Sequence, residues 1–203
     1  MRLIIGVVLL GSWLSASAET VSGNPAWSCL NRYVVTLARR AELVTAVQAY
    51  NKAPPDYLAL DARWAALPDG APEVSRVMTH PLVTKLEQTI SSVSYRGEGM
   101  IMGRDGGLVA ATNKTTDFWQ GDETQFTQAI GLLPGQVHVE GDTADESTHS
   151  MLIKISTPII DPVTRQGIGV LMLGFDQFVV DYEETCAPNQ HMESAPPVPG
   201  ASP

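Results

Sequence analysis

Nine residues, Thr115 to Glu123 (TTDFWQGDE), gather three carboxylates, two aromatic rings, a glutamine and a glycine. Asp117 offers a fixed negative charge, and Phe118 and Trp119 offer apolar walls with a face for an ammonium. A second acidic stretch, Asp142 to Ser147 (DTADES), adds Asp142, Asp145 and Glu146. Carboxylates this dense could hold calcium, but the alternating ligand register of an EF-hand loop is missing. Two carboxylates flanking a glycosidic bond could cleave it, yet nothing in the spacing sets the separation that chemistry needs. On residue chemistry alone two readings stand. The stretch is the mouth of a site for a small cationic group, or it is a solvated loop whose aromatics plug the core.

Other catalytic patterns are missing. The chain has no GxSxG elbow, no P-loop and no HExxH, and His80, His138, His149 and His191 are scattered. GEGMIMG, from Gly97 to Gly103, leads into a strand and not a helix, so it lacks the helix N-terminus that would bind phosphate. Asn113-Lys114-Thr115 matches a glycosylation sequon, a pattern common by chance. The reading is of a protein that is not an enzyme, with no cofactor and no metal site. A balance of 13 basic against 22 acidic residues, net −9, repels phosphate backbones and excludes nucleic acid as a partner.

The ends suggest a compartment. Arg2, the apolar run Leu3 to Leu14 and the small residues Ala16-Ser17-Ala18 read as a signal peptide over residues 1–18, cleaved after Ala18. The run is shorter than the roughly 20 residues of a membrane span. A periplasmic or secreted protein is expected. The two cysteines, Cys29 and Cys186, stand far apart without a CxxC pattern, and an oxidising compartment favours one bridge between them. Residues 187–203, with Pro188, Pro196, Pro197, Pro199 and Pro203, read as a disordered tail.

Between the ends, one domain over residues 19–186 is expected, helical over 27–93 and sheet over 98–180. Trp27 to Tyr50 lacks Pro and Gly, and Leu30, Val34, Leu37, Ala41 and Val44 fall on a helical stripe. That near-heptad stripe also suggests a weak homodimer. Tyr57, Leu60 and Trp64 predict a second helix, and Pro68-Asp69-Gly70 ends it. A helical pair split by Pro81 follows, with Leu82, Leu86 and Ile90 inward. Met100 to Thr112 predicts a hairpin turned at Asp105-Gly106, and Thr124 to Ile130 a short helix. Gln136 to Glu140, Ser150 to Ile160 and Gly169 to Phe175 complete five strands. Helices first and hairpin-joined strands after them indicate an α+β fold with an antiparallel sheet.

Several pieces, in order, resemble the Cache (PDC-type, extracytoplasmic PAS-like) sensor domains. They are LDARW (Leu60 to Trp64), DGGLVAATNKTTDFWQGDE (Asp105 to Glu123), DES (Asp145 to Ser147), STPIIDP (Ser156 to Pro162) and GIGVLMLGF (Gly167 to Phe175). The resemblance spans Asp61 to Val180 and looks most like stand-alone exported members. It implies a long N-terminal helix across one face of a five-stranded antiparallel sheet, with a small-molecule site on the other. By that carry-over Thr115, Asp117, Trp119, Gln120, Asp122 and Glu123 line or shape its mouth, with Asp145 and Glu146 nearby. The tyrosine-arginine-tryptophan signature of the amino-acid-binding subgroup is absent. The implied function is a non-enzymatic sensor module that binds a small organic, amine-bearing ligand and signals through a membrane-bound partner. The alternatives are an exported interaction protein with a vestigial site, or an acidic-site hydrolase.

Overall fold

The computed structural model describes residues 25–94, 96–145 and 150–176, and the side chains of 28–94, 96–141 and 152–176. The predicted leader, Cys186, Glu146 and the proline-rich tail lie outside the described residues.

The helical run expected over 27–50 arrives as two helices, α1 (Pro25–Ala38) and α2 (Ala41–Lys52). Arg40 is extended (φ −66°, ψ 137°), and its N–H closes a turn on the Leu37 carbonyl at 3.0 Å. The break resets the phase of the apolar stripe. Leu30, Val34, Leu37 and Ala38 are buried before it, and Leu43, Val47 and Tyr50 after it, where an unbroken helix would have turned Ala41 and Val44 inward. No proline or glycine marks the break, so sequence periodicity alone carries through it.

Three shorter helices follow. In α3 (Tyr57–Trp64) the Asp56 side chain caps the first turn by accepting from the Ala59 N–H at 3.1 Å. The helix α4 (Pro72–Met78) opens on proline, where the missing N–H costs nothing, and buries Val74 and Val77. The last, α5 (Leu82–Ser91), buries Leu82, Leu86 and Ile90 as their spacing predicts.

The sheet consists of β1 (Gly97–Gly103), β2 (Leu108–Ala111), β3 (His138–Asp145), β4 (Ser150–Ile160) and β5 (Gly167–Asp176). All pairs are antiparallel and the order is β2-β1-β5-β4-β3, so the expected α+β class with a five-stranded sheet holds. Gly106, at φ 86°, supplies the left-handed residue of the predicted β1–β2 turn. β3 runs further than the expected Gln136 to Glu140. It takes in Asp142, at an irregularity in the register, and Thr143 to Asp145, which pair along β4, so this stretch is not a loop between strands.

Register assigns the paired strand residues to faces, apart from irregularities at Ile101/Met102, Glu140/Thr143 and Ile159/Ile160. Gly99, Leu173 and Ile155 form one row across β1, β5 and β4, and Gly103, Gly169 and Ile159 form another. This first face is covered by helices. Gly99 lies against Leu86 and Ile90 of α5, and Gly103 and Gly169 against Tyr50 and Val47 of α2. α1 lies along β4 and β5, its Tyr33 hydroxyl 2.9 Å from Ser92 at the end of α5. The alternate residues form the second face. Because β2 and β3 are opposite edges, the chain between them must cross the sheet, and it crosses over this second face. There α6 (Thr124–Thr127) approaches β3 and β4, and the Ile130 carbonyl meets Gly167, the partner of Ile160.

Candidate functional site

The loop after β2 is built as a packed unit. Phe118 is fully buried and meets Trp64 of α3 at a ring-centroid distance of 5.3 Å. The Trp64 indole donates to the Thr115 carbonyl at 3.0 Å, and Lys114 donates to the Leu67 carbonyl at 2.5 Å. Trp119 is half-buried and held on three sides. Its backbone N–H donates to Asp61 at 2.8 Å, its indole donates to the Asp105 carbonyl at 2.6 Å, and its ring stacks on Tyr57 at 5.8 Å. Gly107 and Trp119 form a bridge that adds this segment to the β2 edge.

The sequence-predicted site residues therefore separate. Gln120 is buried, donates to the Asp117 carbonyl at 2.9 Å and accepts from the buried Gln125 at 3.3 Å. The Thr115 hydroxyl also donates to the Asp117 carbonyl, at 2.6 Å. The Asp117 carboxylate is exposed and accepts from the Thr116 hydroxyl at 3.0 Å, while Asp122 and Glu123 are exposed before α6. Asp145 is not beside them. It stands on β3, four strands from β2 and so roughly 19 Å across the sheet. One of the loop's two aromatics, Phe118, plugs the core, as the second of the two readings open for it on residue chemistry has it. Phe118 is core, and Trp119 is an anchored lid over the edge.

A different cluster occupies the second face of the sheet. Glu98, Gly174, Lys154 and Glu140 form one row, and Met100, Met172, Ser156 and His138 form the next. Lys154 reaches over Gly174, which offers no side chain, to Glu98 at 3.4 Å. Both partners of that pair remain about a quarter exposed, at 23% and 27%. Beside it, Ser156 is fully buried and its Oγ has no hydrogen-bond partner. His138 Nε2 and Glu140 Oε2 are likewise buried and unpartnered.

Three such atoms on two adjacent rows stand out. Directly opposed residues are about 5 Å apart and adjacent rows about 7 Å, so the three atoms' residues fit within the footprint of one small molecule. A buried polar atom without a partner costs about 1–3 kcal/mol, and folding gains nothing from collecting them. On the helix-covered side, Thr157 donates to the Gln136 carbonyl at 2.8 Å, while Asn31 Oδ1 of α1 is a fourth buried atom without a partner. The second face thus offers an acceptor in Glu140, a cation in Lys154, a two-way hydroxyl in Ser156 and an imidazole in His138.

These four residues were not legible as a site. In sequence Lys154 and Ser156 look like the solvent phase of an alternating strand, and only the register and the crossover bury Ser156 and half-bury Lys154. Among the described residues no group of three or more His, Cys, Asp or Glu is placed to hold a metal.

No protein-family model matches the chain, and no curated protein matches it. Solved sensory domains are similar in shape. The ligand-binding domain of the Campylobacter jejuni chemoreceptor Tlp3, in complex with L-norvaline, is 14% identical over 81% of this chain and 66% of that one, with a TM-score of 0.39. The ligand-binding domain of the Pseudomonas aeruginosa amino acid chemoreceptor PctC, in complex with GABA, is 12% identical over 75% and 65%, with a TM-score of 0.35. The V. cholerae histidine kinase DctB sensor domain is 11% identical over 76% and 56%, with a TM-score of 0.29. The chain spans less than two thirds of the length of each of these domains. What they bind is a property of those domains.

Proposed function

We propose that this chain is a non-enzymatic, Cache-like sensor module that binds a small, amine-bearing organic molecule on the second face of its sheet. The observation that carries the proposal is the cluster of unpartnered buried atoms on Ser156, His138 and Glu140 beside Lys154. An ammonium would complete Glu140, and an anionic or carbonyl group on the same molecule would meet Lys154 and Ser156. Trp119 and Gln120 stand at the β2 edge, away from the β3–β4 cluster, and take no direct part in this site. Export to the periplasm or outside the cell, and signalling through a membrane-bound partner, complete the reading. Among the described residues no helix is long and apolar enough to cross a membrane.

The test is a thermal-shift screen of amines, amino acids and related metabolites, followed by calorimetry on variants. Glu140→Gln removes a charge-assisted bond of about 1.5–3 kcal/mol, so affinity for a hit should fall roughly 10- to 150-fold. Equal affinity in wild type and Glu140→Gln would place the ligand elsewhere. A second reading, an interaction protein whose site is vestigial, is favoured by the closed packing of Phe118 on Trp64. It predicts no stabilising small molecule at all.

A further inference from the structure

A cavity of about 580 Å³ opens on the helix side, at the end of the sheet where α2, the β1–β2 turn and the β4–β5 loop meet. Gln48, Asn51, Lys52, Arg104, Asp105 and Asp161 line it. It is separate from the second face, because Asn51 lies over Gly103 on the helix-covered one.

The floor is fixed by side chains that join the three elements. Asn51 donates to the Ile168 carbonyl at 2.7 Å and accepts from the Arg104 N–H at 2.9 Å. Gln48 donates to Asp161 at 2.8 Å. The two acids are engaged by their own surroundings. Asp161 also accepts from the Val163 and Thr164 N–H groups at 2.8 and 2.9 Å. Asp105 accepts from the Gly107 N–H at 2.9 Å and from the Tyr50 hydroxyl at 3.4 Å.

The cations are different. The ion pairs among the described residues are Arg63–Glu73 and Lys154–Glu98, and neither Lys52 nor Arg104 takes part. Neither side chain makes a hydrogen bond among the described residues, although the chain carries 22 acidic residues. Two uncommitted cations therefore flank a rigid concavity whose acids have turned to other donors. A planar guanidinium and an ammonium together suit an oxyanion, the first by a forked pair of bonds and the second as a point charge.

We infer that this cavity is a second binding site, which takes the carboxylate or phosphate group of a small molecule between Lys52 and Arg104. It is independent of the ligand proposed for the second face. Its occupation would tie the end of α2 to the β1–β2 turn and so raise the melting temperature.

The experiment titrates inorganic phosphate and, separately, citrate into the purified protein at constant ionic strength, with chloride as the control. Melting temperature and calorimetry are the readouts. At least one of the two oxyanions should give saturable stabilisation that chloride does not, and the better of them assigns the group. Arg104→Gln and Lys52→Gln should each weaken the midpoint at least tenfold, and Lys154→Gln, which removes the cation of the second face, should leave it unchanged. Both substitutions spare the fold, since neither side chain holds another element. An effect matched by chloride, or one that survives in the double variant, overturns the site. So does loss of the effect in Lys154→Gln, which would show that the anion had bound the second face.

Discussion

Phe118 and Trp119 are neighbours in sequence with opposite parts in the structure. Phe118 is fully buried against Trp64, so Phe118→Ala should cost about 3–5 kcal/mol in a urea melt. Trp119 stays half-buried over the edge, and Trp119→Ala should cost clearly less while leaving the transition cooperative. Equal losses would put both rings in the core. Ser156→Ala makes the reverse forecast. Its hydroxyl has no partner, so removing it should leave stability unchanged or raise it, while weakening any ligand of the second face. A large loss of stability in the apo protein would mean that Ser156 is a structural residue. His80 sets a pH dependence. Burial first, and the Arg76 charge second, hold its imidazole below the usual 6.5, and its neutral Nδ1 accepts from the Leu82 N–H at 3.2 Å. The unfolded chain binds that proton more readily. Its contribution is therefore full above pH 6.5 and is lost as pH falls through the lower folded value. His80→Asn should flatten the fall in melting temperature just below pH 6.5, and an unchanged slope would contradict this. At this scale the sequence conveyed residue types well and partners poorly. The cluster TTDFWQGDE was visible, but whether its rings faced a ligand or the core depended on Trp64, fifty-four residues before Phe118.

Elements follow their periodicities where one face decides burial. The stripes of α3 and α5, the turn at Asp105-Gly106 and the span of β4 were all legible, because each is set by local spacing and turn chemistry. Two features were not. The α1–α2 break lacks a proline or glycine, and its only trace is the change of phase between Leu37 and Leu43. The polar rows of the second face need the register of four strands, which no single strand contains. Close packing of α2 on the sheet gives a direct test at this scale. Gly103 faces the Tyr50 ring, where a Cβ would clash, so Gly103→Ala should destabilise by about 1–3 kcal/mol. A neutral effect would mean that α2 rides more loosely on β1 than the structure has it.

For the molecule as a whole, the strand order and the crossover between edge strands create one helix-covered face and one face with polar atoms in reserve. The apolar stripe that suggested a homodimer is interrupted, since Leu30, Val34 and Leu37 are buried within the chain while Ala41 is exposed and Val44 half-buried beyond the break. Sedimentation at high micromolar concentration should therefore give a monomer, and a dimer there would require another surface. The bridge between Cys29 and Cys186 remains a proposal, with its second member outside the described residues. Intact mass with and without reductant should differ by two hydrogen atoms, and free thiols in exported protein would remove it. The most direct test of the central claim is native mass spectrometry of the protein as exported by its producing cells, compared with its Glu140→Gln and Ser156→Ala variants. The account predicts a co-purifying small molecule with an amine, held by wild type and depleted in both variants while their folds persist. Retention of that molecule at full occupancy in both variants would contradict it.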